Sequence, residues 1–210
     1  SATFRTADVV GLDTLKSVSL TTHEKAPEDE EREVFRIPDI LDKLVDSDRL
    51  GQKTKAGFYK KNEDRSIHSV DLNTGDYSPL GSVRFDCFRI AKDRQRLNEK
   101  IIALCEGDDR GSKYFWELTS KTLIYSANRI PEISDDIVNI DNALKWGFAW
   151  EIGPFETWDA IGVRKSTERM RSEGKKIPKW VSQMLDSGRE SFYEIENGIK
   201  TYWCPTGKHP

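Results

Sequence analysis

The side chains best suited to chemistry are few in this chain and stand far apart. Cys87, Cys105 and Cys204 form an odd, sparse set with neither a disulfide framework nor paired zinc-ligand spacing. A thiol becomes a nucleophile beside a base. His23, His68 and His209 are equally scattered, so the cysteines read as small core residues. No structural metal is expected. The carboxylates say more. Asp8 stands in Phe4-Arg5-Thr6-Ala7-Asp8-Val9-Val10-Gly11, and Asp159 in Phe155-Glu156-Thr157-Trp158-Asp159-Ala160-Ile161-Gly162. Paired carboxylates in one site can share acid–base work. The same Asp in two separate cores argues instead for a shared capping role, with Thr6 or Asp8 accepting from free N-terminal amides of a helix.

The recurrence continues downstream. Ile37-Pro38 opens a stretch ending Val45-Asp46-Ser47-Asp48-Arg49, and Ile177-Pro178 opens one ending Leu185-Asp186-Ser187-Gly188-Arg189. Gly57-Phe58-Tyr59 and Ser191-Phe192-Tyr193 follow, then Thr74-Gly75 and Thr206-Gly207. The order is kept and only the spacers differ, which reads as a duplicated domain. The second copy has a helical lead-in, roughly 112–146; the first has almost none, because its motif starts at Phe4. A small helical unit without its opening helices cannot close its core. The chain therefore reads as a piece of a longer polypeptide whose N-terminal neighbour is missing. The expected divisions are 1–82 for the first repeat, 83–111 for a connecting helix and linker, and 112–210 for the second repeat.

Composition sets bounds. The hydrophobic fraction is 36%, a third of the residues are charged, and the net charge is −3. A nucleic-acid footprint would need a basic excess, which is lacking. No apolar run approaches membrane-spanning length and no signal peptide opens the chain. A reducing cytoplasm is the expected location.

The elements that must position these residues follow from periodicity. Asp8 to about Leu20 reads as a helix, and the acidic run 23–33 as a solvated loop or frayed helix end. Pro38 sits at a helix start, where its missing N–H costs nothing. Ile37, Ile40, Leu41, Leu44 and Val45 then form one apolar stripe, repeated as Ile177, Trp180, Val181, Met184 and Leu185. Gly57 is expected to supply an unusual backbone angle before a strand at 58–61, with a second strand at 67–72. In the second copy, 192–196 and 199–203 form a hairpin turned by Asn197-Gly198. Between the copies, 91–106 reads as a helix, 107–111 as the clearest loop, and 113–128 and 134–146 as helices, the latter capped by Ser134.

With these residues in view, a resemblance emerges. Ala2-Thr3-Phe4-Arg5-Thr6-Ala7-Asp8-Val9-Val10-Gly11-Leu12-Asp13, followed by Leu50-Gly51-Gln52-Lys53-Thr54-Lys55-Ala56-Gly57-Phe58-Tyr59, closely resembles the C-terminal domain of L-3-hydroxyacyl-CoA dehydrogenases. Those enzymes catalyse the NAD-dependent oxidation step of fatty-acid β-oxidation. The run from Asn142 to Phe155 resembles the second C-terminal domain of the long fused forms, in which a crotonase-like hydratase domain often adjoins. The resemblance implies a mainly helical chain: two tandem repeats of the helical C-terminal domain, each ending in a small β-ribbon. It also implies an acyl-CoA substrate, and NAD bound in a nucleotide domain outside this chain.

No Gly-x-Gly-x-x-Gly follows a strand here, and a hydride transfer needs a positioned base. The family's catalytic His and Glu belong to the nucleotide domain, so no catalytic residue is carried over. Ala127-Asn128-Arg129-Ile130 mimics a functional family segment, but its register in the second copy argues against a catalytic Asn128. Lys53 and Lys55 could meet CoA phosphates as charges or be plain surface lysines. Trp146, Phe148, Trp150, Phe155 and Trp158 form an aromatic cluster. It reads as core packing; the alternative is an acyl-chain wall or subunit contact, with Trp150 and Phe155 touching substrate. The leading expectation is the substrate-binding and dimerisation half of the dehydrogenase, inactive alone. The rival is a non-enzymatic acyl-CoA-binding or scaffold module reusing the same helices. Self-association is expected if Val9, Leu12 and Leu15 lie partly bare, unless the helix at 91–106 covers them.

Overall fold

Gly11 decides how the chain begins. Its φ of 105° lies where only glycine is comfortable, so the expected single helix is two: α1 (Thr3–Val10) and α2 (Leu12–Lys25). The computed structural model describes residues 3–207; Ala2 and His209 lie outside them. The chain forms two units, Ser1–Val83 and Arg84–Pro210.

In the first unit, α2 is longer than expected, and Arg32 in a short 3-10 turn donates to the His23 carbonyl. Pro38, extended at ψ 145°, introduces α3 (Asp39–Asp46). A three-stranded antiparallel ribbon follows: β1 (Tyr59–Lys61), β2 (Ile67–Val70) and β3 (Tyr77–Pro79). The third strand was not legible in the sequence because it is three residues long and ends in proline. The buried core is thin: Leu12, Leu41, Leu44, Phe58 and Val70. Leu12 is thus fully covered and Leu15 half-buried, whereas Val9 is 62% exposed.

The second unit opens with α4 (Asp86–Lys92), α5 (Leu97–Glu106) and α6 (Arg110–Asn128). The helix expected over 91–106 is broken at 93–96. The segment 83–111 is not a connector: α5 packs on α6, and Cys105 joins the core of this unit. Asp109 explains why 107–111 is not a boundary. Its carboxylate caps α6 through Ser112 N and also takes Cys87 N from α4, both at 2.8 Å.

Next come α7 (Ile137–Phe148), α8 (Pro154–Ile161), α9 (Val163–Ser172) and α10 (Lys179–Asp186). Asp136, not Ser134, caps α7, accepting from Asn139 N. Gly162, at φ 86°, separates α8 from α9. The hairpin β4 (Tyr193–Glu196) and β5 (Ile199–Tyr202) turns on Asn197 and Gly198, both at positive φ, which is the two-residue turn that suits strand twist. Phe155, Trp158, Met170, Met184 and Phe192 are the fully buried heart of this unit.

Candidate functional site

Asp8 sits on α1 with its carboxylate sealed from solvent. Oδ1 accepts Phe58 N at 2.8 Å and Oδ2 accepts Tyr59 N at 2.9 Å. The expected helix cap is therefore corrected: Asp8 lies inside its helix and satisfies the start of a strand, whose amides would otherwise be buried without partners. Two glycines make room. A Cβ on Gly57 would stand 2.2 Å from Asp8 Oδ1, and one on Gly51 2.3 Å from the Asp8 carbonyl. Gly57 is thus required for close approach; the unusual backbone angle belongs to Gly51, at φ 104°.

Asp159 does the same in the second unit, accepting Phe192 N at 2.7 Å and Tyr193 N at 2.9 Å. Burial pushes its carboxyl up to about 6 despite those two amides. Close by, Asp141 on α7 accepts Phe155 N at 2.8 Å, Glu156 N at 3.2 Å and the Tyr193 hydroxyl at 2.8 Å. Burial raises Asp141 too, and burial together with the Asp141 charge holds the Tyr193 phenol protonated. These groups brace helix ends and a strand. No nucleophile stands among them.

In the first unit, a cleft of about 560 Å³ opens beside Asp8. Arg5, Lys55 and Lys61 bring positive charge to it, Val9 and Ile67 apolar surface, and Tyr59 a ring lying 5.6 Å from the Arg5 guanidinium carbon. Lys55 was singled out in the sequence; Arg5, Tyr59 and Lys61 were not. The Phe-x-Thr-x-Asp spacing carried a signal for Arg5, since residues three apart share a helix face. Lys61 had none, because its side is set by a strand register.

The other candidates are dispersed. Lys53 pairs with Asp13 at 2.6 Å, and this bond holds the Asp13 carboxyl below its usual range. Phe155 is completely buried against Trp180 and Phe192, so it has no surface with which to meet a substrate. Trp158 is buried likewise, its indole N–H donating to Ser166. Trp146 and Phe148, at the end of α7, are 81% and 73% exposed, and Trp150 beyond them is partly so. The aromatic cluster is therefore divided between core and surface. Asn128 is the last residue of α6, before the turn at Arg129.

Cys87 and Cys105 are buried thiols pushed up by burial, the opposite of nucleophile activation. Among the described residues no group of three His, Cys, Asp or Glu could hold a metal ion, and no helix is long and apolar enough to cross a membrane. Both sheets among the described residues are antiparallel. The crevice at parallel strand ends that holds a dinucleotide in doubly wound folds is a different arrangement.

Residues 1–61 match the family model of the 3-hydroxyacyl-CoA dehydrogenase C-terminal domain. These residues include the Asp8 bonds, both tight glycines and most of the cleft. Over 203 residues, 97% of the chain, it is 45% identical to a probable 3-hydroxyacyl-CoA dehydrogenase of Bacillus subtilis, covering 26% of that protein. It is 41% identical over 64 residues, 30% of the chain, to a probable 3-hydroxyacyl-CoA dehydrogenase of Deinococcus radiodurans, covering 18% of it. It is 36% identical over 87 residues, 37% of the chain, to a fatty acid oxidation complex subunit alpha of Aliivibrio fischeri, covering 12% of it. The chain thus spans about a quarter or less of the length of these relatives. No solved structure matches it.

Proposed function

We propose that the chain is the substrate-binding and dimerisation portion of an NAD-dependent dehydrogenase that oxidises 3-hydroxyacyl-CoA to 3-oxoacyl-CoA in fatty-acid β-oxidation. The observation that carries this reading is a coincidence of extent. Residues 1–61, which match the family model, are those that build the Asp8 bonds and bring Arg5, Lys55 and Tyr59 to one cleft. NAD and the proton-accepting His belong to polypeptide outside these residues, as does a crotonase-like hydratase domain in fused forms. Lys53 and Lys55, on the exposed turn 52–55, are the charges offered to CoA phosphates. Three free thiols suit a cytoplasmic location.

The two units are tandem copies of one domain in this reading. Four correspondences support it. Asp8 and Asp159 take the same pair of amides. Phe4 meets Phe58 edge-on at 4.6 Å as Phe155 meets Phe192 at 5.1 Å. The Phe58 carbonyl takes Val70 N as the Phe192 carbonyl takes Trp203 N. Glycines at positive φ part the paired helices in both.

The test is NADH production from 3-hydroxybutyryl-CoA. The chain alone is expected to give none, since loss of the acid–base group costs orders of magnitude. Turnover is expected when the separately expressed remainder of the Bacillus subtilis relative, the part this chain does not match, is added. Tight acyl-CoA binding without any rescue of turnover would favour the scaffold reading, to which the basic cleft lends support. Turnover by the chain alone would overturn both.

A further inference from the structure

The second unit holds a cavity of about 220 Å³ within its own helices. Its buried wall is Trp116 from α6, Cys105 from α5 and Ile161 from α8. Burial pushes the Cys105 thiol up, so it stays protonated, and it donates to the Thr119 hydroxyl. That wall is therefore uncharged. The open side carries charge instead: Glu106 from the end of α5, and Lys165 and Arg169 from α9. Pockets for drug-sized ligands run to about 300–1,000 Å³, so this one suits a smaller molecule.

Arg169 is held in place before any ligand arrives. Its guanidinium carbon lies 4.0 Å from the centre of the Trp116 ring, a stacking that favours Arg on an indole. Nε donates to Glu173 at 3.0 Å and Nη1 to the Cys105 carbonyl at 2.9 Å. Nη2 meets no acceptor among the described residues. Glu173 is itself engaged, taking the Trp116 indole N–H at 2.7 Å and pairing with Lys175 at 3.5 Å. Lys165 stands four residues before Arg169 on α9, a spacing that puts both cations on one helix face. Lys165 pairs with Glu106 across the mouth of the cavity, and both side chains are exposed. An exposed pair of this kind stabilises little and exchanges partners readily.

We propose that this cavity binds a short apolar monocarboxylate, of about four to six carbons. The ligand carboxylate accepts from Arg169 Nη2 and replaces Glu106 on Lys165. The chain lies on Trp116, Ile161 and Cys105. A rigid guanidinium with an open N–H edge recognises a carboxylate better than an amide or an amine does. Glu106 acts as a resident competitor for Lys165, so its charge sets how tightly the ligand binds.

The test titrates the full chain with 3-methylbutanoate and follows amide and indole cross-peaks by NMR. Saturable shifts are expected at the Trp116 indole N–H and at the Cys105, Lys165 and Arg169 amides, with a Kd on the order of 1 mM. The neutral 3-methylbutanamide and the cation 3-methylbutylamine are expected to leave these signals in place. Acetate, which lacks the chain, should bind about tenfold more weakly. Lys165→Gln is expected to weaken 3-methylbutanoate binding about tenfold. Glu106→Gln is expected to tighten it severalfold, because the competing carboxylate is gone. Both substitutions fall on exposed side chains and leave the core intact.

The sign of the Glu106→Gln effect is the sharpest outcome, since loss of a merely structural ion pair would weaken binding or leave it unchanged. Either of those results would overturn the proposal. So would equal binding of the amide, equal binding of acetate, or shifts confined to residues away from Trp116 and Arg169. Absence of any saturable shift would remove the site altogether.

Discussion

Asp8→Ala removes both acceptors that hold the start of β1. Each lost bond is an amide donating to a carboxylate, worth about 1.5–3 kcal/mol. The Phe58 amide would be left buried and unpaired, and the Tyr59 amide partly so. The expected loss is about 3–5 kcal/mol. A unit of 83 residues has a total stability of roughly 4–12 kcal/mol, so the substitution removes a large share of it. Asp8→Asn keeps one acceptor but aims an amide N–H at the second donor, for an intermediate loss of about 2–3 kcal/mol. Native-state hydrogen exchange at Phe58, Tyr59 and Val70 reads the change directly. All six tryptophans lie in the second unit, so their emission serves for the parallel Asp159→Ala experiment and the first unit must be followed by its amides. An Asp8→Ala protein within about 0.5 kcal/mol of the parent, the range of a plain surface change, would refute the view that this carboxylate secures the ribbon.

Gly57→Ala drives a methyl group into Asp8 and is expected to cost about 2–3 kcal/mol as overpacking; Ser191→Gly at the matching position should cost no more than about 1 kcal/mol. Equal costs in thermal denaturation would contradict the geometry. Asp159 binds its proton more tightly folded, at about 6, than unfolded, at 3.8. Its stabilisation is complete below about pH 4 and is lost as pH rises through 6, by at most about 3 kcal/mol. Asp159→Asn should lack that slope, and a carbon-13 titration placing the Asp159 carboxyl below 4 would disprove it. Phe155→Ala should cost about 3–5 kcal/mol as a large cavity in a core, whereas Trp146→Ala should stay within about 0.5 kcal/mol. Urea midpoints followed by tryptophan emission decide between these, and a costly Trp146→Ala would expose a contact not recognised above.

Helix positions were legible where apolar spacing repeats, as in α3 and α10, because a stripe at 3.6-residue period leaves a helix little choice. The Asn197-Gly198 turn was legible because few other residues accept its backbone. Asp8 and Asp159 stood out by recurrence, but their role did not. A carboxylate near a helix start suggests a cap, and only the return of a strand some fifty residues later reveals the true donors. The break at Gly11 was hidden for a related reason: glycine within an amphipathic pattern states a cost, not a direction. Asp141 carried no local sign at all, since its partners come from α8 and β4. Sequence proximity also joined aromatics that packing separates, placing Phe155 in the core and Trp146 in solvent.

The two aspartates hold their strands with the same bonds but under different steric regimes. Around Asp8, no side chain fits at position 51 or 57, so these two letters of the turn are dictated by lack of space. Around Asp159 the shorter connection admits Ser191, and the matching contacts survive with different neighbours. Substitutions can accumulate on the second side without loosening its bonds, while the first must keep its glycines or lose its strand. A constraint of this kind leaves a recognisable spelling only where crowding is greatest.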